Sequence, residues 1–536
     1  MWRSGWRDAV WSGLGQPWDV LVIGGGITGA GILREAARRG LRALLVEQRD
    51  FAWGTSSRSS KLVHGGLRYL KEGKIRLTRA SVAERERLVA EAPGLVERLG
   101  FLLATYEGAH PGSLTYRAGL SLYDLLAVRW SHQHYDPEAF RMLAPHIALR
   151  GLKGGFRYGD AQTDDARMVL RVLAEAVSAG ASALNYAVAE NLIREAGVVT
   201  GVRLVDRERR RSTEVRATVV INATGAWADR LREELGAPRR IRPLRGSHLT
   251  LPAWRFPLAQ AVTVSHPEDQ RPVFFIPWEG VTLIGTTDVD HDAPLDQEPA
   301  VSADEVRYLF AAIEAEFPSL GVTPRDVMAS FSGVRPVIST GKADPSRESR
   351  DHAVWDEEGL LTVTGGKLTT FRLMALDALK AARRRLPALR SLGPRTRVFD
   401  PVATALPAGA EALDDDARRR LIGRCGAEAA QLVAAARSRE LTPIPGTRTL
   451  WAELRWAARA EAVVHLDDLL LRRVRLGLLL PDGARDLLPD VRTICRSELG
   501  WDDARWEREA DAYLRTWRSC YNVPAAALTG PRPEGR

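Results

Sequence analysis

Residues Trp18 to Glu47 read WDVLVIGGGITGAGILREAARRGLRALLVE. Asp19 to Ile23 is a short apolar run, the signature of a buried strand. Gly24-x-Gly26-x-x-Gly29 follows at once, Ile27 to Arg39 has helical character, and Gly40 stops it. Leu41 to Val46 reads as a second buried strand, and Glu47 closes it 21 residues after Gly26. This is a βαβ unit carrying a dinucleotide fingerprint in the context the fingerprint needs. The glycines let the backbone approach a pyrophosphate, which rests on the positive end of the helix. Glu47 stands where a carboxylate accepts hydrogen bonds from a ribose. The fold class is therefore α/β with a Rossmann-like domain, and the fingerprint alone does not separate NAD from FAD.

No second nucleotide unit of the NAD type follows. Residues 56–70, SSRSSKLVHGGLRYL, form instead a polar loop with neither a helical nor a strand period. Its serines can donate to phosphate or to flavin carbonyls, and Gly65 and Gly66 allow close backbone approach. Arg68 and Tyr69 at its end could hold an anionic group. Further on, residues 197–229 read as two short strands around a charged turn, then a strand ending in Ala223-Thr224-Gly225. That ending resembles the second FAD-contacting segment of flavoproteins with two dinucleotide-binding domains. Residues 359–385 give another strand, a Gly-Gly-Lys turn and a long helix, whose N-terminus with Lys367 suits an anionic partner such as a reduced flavin.

These pieces predict a discontinuous FAD-binding domain over 19–90, 151–244 and 356–385. A substrate cap with a β-sheet (α+β) is expected over 91–150 and 245–355, where VFFIPWEGVTLIGTTDVD reads as two strands and a turn. From about residue 400 the chain turns to Ala, Leu, Arg and Glu at helical spacing, and 400–522 is read as a separate all-helical domain. The segment 523–536 is expected to be a disordered tail. In 1–18, Trp2, Trp6 and Val10 share one helical face, which fits either an interfacial anchor or a helix packed on the rest of the protein.

A chain of 536 residues supports two or three domains. There is no apolar run long enough to span a bilayer and no secretory leader pattern, so a cytoplasmic protein is expected. Cys425, Cys495 and Cys520 form no CxxC pair, which argues against a zinc site or a disulfide framework; no metal is expected. A net charge of +9 favours anionic partners or marks a solvated basic surface. No basic and aromatic interleaving points to nucleic acid. The chain holds seven lysines against 69 arginines. A compact ammonium and a planar fork are not interchangeable in a tight site, so the surviving Lys61 and Lys367 draw notice.

A flavin-dependent alcohol oxidation needs a base for the hydroxyl proton, cations for an anionic substrate and a fixed C–H over the flavin. His248 in LRGSHLTLP, Arg335 in FSGVRPVIS, Lys367 in TGGKLTTFR and Arg350 in SRESRDHAV are the candidates beside the loop. Each has a structural alternative: a satisfied histidine, an arginine bracing a turn, a surface charge.

Taken in order, VIGGGITGAG, TSSRSSKLVHGGLRYL, QTDDARMVL, INATGAWAD, RGSHLTLP, FFIPWEG, LIGTTDVD, SGVRPV and TGGKLTTFR resemble the FAD-dependent glycerol-3-phosphate dehydrogenases of the D-amino-acid-oxidase-like superfamily. The likeness runs from about Asp19 to Gly477, and LDDLLLRRVRLGL resembles that family's helical domain. Thr28, where Asn is common, and Ala226, where Pro is common, depart from the pattern; residues 382–450 match poorly. The resemblance implies oxidation of sn-glycerol 3-phosphate to dihydroxyacetone phosphate by FAD, with electrons passed to a membrane quinone. It places Gly24, Gly26, Gly29, Glu47, Thr55, Ser56, Ser60, Lys61, His64, Thr224, Gly225, Gly366 and Leu368 along the cofactor. It places Arg68, Tyr69, Arg350 and Lys367 around the substrate phosphate, His248 and Arg335 near the C2 hydroxyl, and Thr287 close to flavin and substrate. His248 is then the expected general base, with Arg335 stabilising alkoxide charge. Monotopic attachment to anionic lipid on the inner face of the cell membrane and a homodimer are further expectations. The rival readings are an oxidase of the same substrate that uses oxygen, and a related amine or amino-acid oxidase.

Overall fold

The computed structural model describes residues 2–71, 73–108, 112–127, 130–341, 348, 351–391, 396–403 and 405–528, without the side chains of Arg68 and Lys71. Its first sheet is built on the opening βαβ unit. Trp18–Ile23 pairs in parallel with Ala43–Val46 on one side and with Arg211–Asn222 on the other. Ser182–Leu184 and Leu360–Gly365 extend the parallel run outward, and His352–Glu357 closes one edge antiparallel. The central strand alternates its faces. Val20 and Val22 pack under the helices Ile27–Arg38, Asp165–Ser178 and Phe371–Ala382. Leu21 and Ile23 pack under the antiparallel strands 187–216, with Val202, Leu204 and Val215. Each such side chain contributes roughly 1.5–3 kcal/mol on burial, so both faces of the sheet are committed.

Ten strands of the described residues make the second sheet. Ile241–Pro252 lies between Val281–Gly285 and Ala329–Ile338, and the sheet continues through Pro272–Trp278, Ala261–Ser265 and Val96–Tyr106 to Leu152–Thr163. Helix Ala303–Glu316 covers one face with Val306, Leu309, Phe310 and Ile313. Ser302 starts it through a capping box with Glu305.

Two expectations change, the placing of Leu152–Thr163 and the start of the tail. Leu152–Thr163, read into the FAD unit, pairs along its length with Val96–Tyr106 in the second sheet, and Leu62–Val63 joins that sheet's edge. The chain returns to the first sheet only at helix Asp165–Ser178. The C-terminal helices pack onto the second sheet: Leu469, Leu470, Val474, Tyr513 and Trp517 share one core with Phe101, Trp278, Leu283 and Phe331. The predicted tail is ordered as far as Leu528. Val523 is buried beside that sheet's other core, and Ser330 N–H donates to Tyr521 O at 2.7 Å. Residues 529–536 lie outside the described residues.

At the N-terminus the helix Trp6–Ser12 packs onto the first sheet's domain. The Trp2 ring lies 5.5 Å from Phe51, and Arg7 binds Asp206 at 2.8 Å. Among the described residues no helix is long and apolar enough to cross a membrane.

Candidate active site

The glycine loop is tightly closed. Gly24 has φ +115°, and a Cβ on Gly29 would sit 1.9 Å from the Gly24 carbonyl oxygen. Only glycine lets helix and strand meet this closely, which brings the helix N-terminus up to the end of the sheet. Glu47 accepts hydrogen bonds from Gly25 N–H at 2.6 Å and Arg49 N–H at 2.8 Å. Burial raises its pKa, and those two N–H groups pull the other way. Ser56 Oγ accepts from Ile27 N–H at 3.0 Å, so the polar loop and the helix start are one surface. Thr224 donates to Asn222 at 2.7 Å and Thr55 to Val334 O, each fixing a turn at the same end of the sheet.

The loop after Ser56 is held by buried charge. Lys61 is fully enclosed, with Nζ 2.8 and 2.9 Å from the two Asp165 oxygens and 2.7 Å from Ser57 O. Burial brings its pKa down to about 8 against the pull of Asp165. Asp165 also accepts from Ser59 N–H and hydroxyl, and from Arg475. Arg475 reaches Asp164 at 3.1 Å and Ser57 O at 3.2 Å. Two more arginines of the helical region, Arg472 and Arg473, clamp Asp50 at 2.5 and 2.6 Å. Burial would raise the Asp50 pKa, but the two guanidiniums hold it at about 2. The Lys61 ammonium thus braces the loop through Asp165 and Ser57 O. Asp165, Asp50 and Arg475 went unassigned from sequence, although QTDDARMVL and LDDLLLRRVRLGL hold them.

His248 stands on the floor of the second sheet, 1% exposed. Its ring stacks on Phe331 at 4.8 Å, and the cross-strand residue is Gly285, where a Cβ would come within 2.3 Å of the imidazole. Nε2 shares a 2.8 Å hydrogen bond with Ser60 Oγ from the loop; Nδ1 has no partner among the described residues. Burial, with the nearby charges of Arg335 and Lys61, holds its pKa well below the usual histidine value, so the ring is neutral near pH 7. Arg335 comes from the adjacent strand, donating to Thr286 Oγ1 at 2.8 Å and to Asp288 at 3.1 Å. Thr287 is differently engaged: its hydroxyl donates to Glu305 at 2.7 Å and accepts from Ser247 N–H at 2.9 Å. That hydroxyl ties the floor to helix Ala303–Glu316. Glu305, a hub that also binds Ser247 Oγ at 2.7 Å, was not singled out from sequence.

A second cluster lies where the loop meets the Gly-Gly-Lys turn. Lys367 Nζ sits 4.0 Å over the Tyr69 ring and has no hydrogen-bond partner among the described residues. Burial brings its pKa down to about 7, against the attraction of Asp160 and Asp351. Tyr69 stacks with His64 at 6.5 Å, and Thr369 donates to His64 O at 3.2 Å. Gly66 and Lys367 are neighbours through the same contact, with Gly366 (φ +70°) and Leu368 completing the turn. Gly65 N–H donates to Asp160, which also accepts from Arg85 and Tyr123. The Arg68 side chain and Arg350 lie outside the described residues. An open cleft of about 350 Å³ beside Arg240, Arg242, Asp290 and His291 contains none of these groups.

These residues fit a flavin dinucleotide. The close-packed glycine loop and Glu47 suit its adenosine and pyrophosphate end. A neutral buried histidine at Ser60, and near Gly66 a lysine whose ammonium is buried without a hydrogen-bond partner among the described residues, suit a redox site for an anionic alcohol.

Residues 19–375 match the family model described as FAD dependent oxidoreductase, and residues 392–506 match the C-terminal domain of alpha-glycerophosphate oxidase. The chain is 34% identical over 486 residues to the aerobic glycerol-3-phosphate dehydrogenase of Staphylococcus aureus (strain USA300), covering 85% of this chain and 86% of the relative. It is 40% identical over 377 residues to that of Bacillus subtilis (strain 168), covering 69% and 68%. The glycerol-3-phosphate dehydrogenase of Bacillus halodurans, solved with FAD, superposes with a TM-score of 0.78 at 29% identity, covering 96% of this chain and 98% of that one.

Proposed function

The chain belongs to the FAD-dependent glycerol-3-phosphate dehydrogenase and oxidase family, and from that premise we propose that it oxidises sn-glycerol 3-phosphate at C2 to dihydroxyacetone phosphate and passes the electrons to a membrane quinone. The observation that supports this reading best is that one loop carries both a neutral, buried His248 at Ser60 and, near Gly66, the buried Lys367 ammonium, which has no hydrogen-bond partner among the described residues. Bound FAD supplies a two-electron acceptor for the C2 hydride.

Lys367 and Tyr69 hold the phosphate end, joined by Arg68 and Arg350 in this proposal. A charge-assisted contact from an ammonium that has no other hydrogen-bond partner among the described residues is strong in a dry site. His248 takes the C2 hydroxyl proton at Nε2, directly or through the Ser60 hydroxyl that now bonds it. Phe331 and Gly285 fix the ring plane, so the base is oriented before substrate arrives. Arg335, aimed by Asp288 and Thr286, stabilises negative charge on the C2 oxygen as the proton leaves. Ser56, Ser60, His64, Thr224 and Gly225 line the cofactor. Lys61 keeps that lining in shape through Asp165.

Quinone is lipid-soluble, so this reading also places the protein peripherally at the inner face of the cell membrane, without a spanning helix. The test is an anaerobic absorbance spectrum of the purified protein before and after glycerol 3-phosphate. Bleaching by this substrate, and not by glycerol or D-amino acids, supports the reaction. Re-oxidation by a quinone analogue faster than by air supports quinone as acceptor; the reverse makes the protein an oxidase. A bound flavin that glycerol 3-phosphate leaves oxidised overturns the substrate.

A further inference from the structure

The helix Ser113–Ala127 has two unlike faces. Its inward face carries Leu120, Tyr123 and Asp124, all buried. The Tyr123 hydroxyl donates to Asp160, the residue that also holds the Gly65 N–H of the substrate loop. Its outward face carries Leu114 (82% exposed), Ala118, Leu122 (38%) and Leu125 (69%). These lie at i, i+4, i+8 and i+11, a single stripe along the helix. Trp130, 70% exposed, follows just beyond its end. A helix with one face in the core ordinarily turns polar residues outward. This one also turns large apolar side chains outward. Of the nine large apolar side chains that stand exposed among the described residues, Leu114, Leu122, Leu125 and Trp130 belong to this helix and its exit, and Ile75 begins the helix packed beside it.

Among the described residues, the exposed charges of this helix and of the one packed beside it have one sign. Arg117 stands exposed next to it, and the adjoining helix Ile75–Glu91 begins with exposed Arg76 and Arg79 and no acid in its first turn. The single carboxylate of Ser113–Ala127, Asp124, is turned inward and taken by Ser131 N–H at 2.7 Å and by His132. We propose that this face is the membrane-docking surface, seating the apolar stripe and Trp130 in the outer layer of an anionic bilayer with Arg76, Arg79 and Arg117 at the headgroups. The proposal rests on the membrane reading above and adds the surface to it. A second copy of the chain is the poorer occupant, because a two-fold contact would set these arginines against each other. The docked helix would separate the substrate loop from the lipid by about one helix diameter, about 10 Å.

The test is co-sedimentation of the full-length holoenzyme with vesicles of phosphatidylglycerol and phosphatidylcholine, or of phosphatidylcholine alone. Two variants accompany the wild type: Leu114→Glu with Leu125→Glu, and Arg76→Gln with Arg79→Gln. All four positions are exposed, so flavin content, melting and anaerobic flavin reduction serve as controls expected to stay unchanged. The wild type is expected to bind the anionic vesicles, at least tenfold less after the leucine changes, and severalfold less after the arginine changes. Anionic-vesicle binding that both variants retain puts the surface elsewhere while the membrane reading stands. A wild type that ignores both vesicles removes the membrane reading and the surface together. A wild-type dimer that the leucine changes convert to monomer, with vesicle binding intact, assigns the face to a second copy and overturns the proposal.

Discussion

Lys367 should make substrate affinity fall with rising pH in a way few phosphate sites do. Its ammonium is buried, unpaired among the described residues and 4.0 Å over the Tyr69 ring, and desolvation brings its pKa down to about 7. An ordinary lysine titrates near 10.4 and would hold its charge across the whole working range. Here only about half of the free enzyme carries the charge at pH 7. A bound phosphate dianion favours the charged form, so binding must draw in a proton, about half of one per site at pH 7. Below pH 7 the site is ready and affinity is full. Above it, apparent Kd rises about tenfold by pH 8 and about a hundredfold by pH 9. The phosphate's own second ionisation near pH 6 sets the lower limit.

The assay is stopped-flow flavin reduction without oxygen, with glycerol 3-phosphate varied at each pH, so that Kd and limiting rate separate. Lys367→Met should weaken Kd about 10- to 100-fold at pH 6.5 and flatten its rise above pH 7, with the limiting rate changed less than about threefold. Lys367→Arg should not match the wild type, because a planar guanidinium cannot take the place of a compact ammonium seated 4.0 Å over the Tyr69 ring. A wild-type Kd that is flat from pH 7 to 9, or a Met variant that keeps the rise, refutes the phosphate role. If Kd holds and the flavin midpoint potential drops instead, the lysine serves the reduced flavin.

His248→Asn should slow anaerobic flavin reduction by about 10²- to 10⁴-fold at unchanged flavin content; near-normal reduction in a folded, flavin-loaded variant moves the base elsewhere. Asp165→Asn strips the partner from buried Lys61 and from Arg475, which should cost about 3–5 kcal/mol and speed FAD loss. Lys61→Met added to Asp165→Asn should recover part of the melting loss, and a single variant that melts like the wild type would show that the pair does not brace the loop. His465 is clamped by Glu208 and Glu509 at 3.1 Å each; burial opposes its charge, but the two carboxylates raise its pKa to about 11. A raised histidine stabilises fully below its unfolded pKa near 6.5 and loses that contribution as pH climbs towards the folded value. Between pH 6 and 9 the wild type should therefore lose about 1–3 kcal/mol more than His465→Gln in urea unfolding, and parallel losses would show the clamp to be inert.

What could be read from sequence was what the chain encodes locally. The glycine loop, the strand before it and Glu47 sit within one βαβ unit, and their spacing states their geometry directly. The place of the strand Leu152–Thr163 is not legible because nothing within it names its partner: the pairing with Val96–Tyr106 spans two helices and a short strand. The buried charge network was invisible for the same reason, since Asp50 and Arg473 are 423 residues apart in the chain. Val523 reads as the start of a polar tail because its neighbours come from the core beside the second sheet, far off in the chain. One non-local feature did leave a trace, in composition. A chain with 69 arginines keeps seven lysines, and the structure gives a steric reason for one of them. Lys61 fills a closed space between Ser57 O and Asp165, where a point charge fits and a guanidinium does not, while the Lys367 ammonium lies buried over the Tyr69 ring. Lys153 and Lys380 are exposed, and no such reason holds for them. Of these four lysines, the two with buried ammonium groups are the two in irregular loops. It was the conjunction of rare residue and aperiodic segment that pointed to the site.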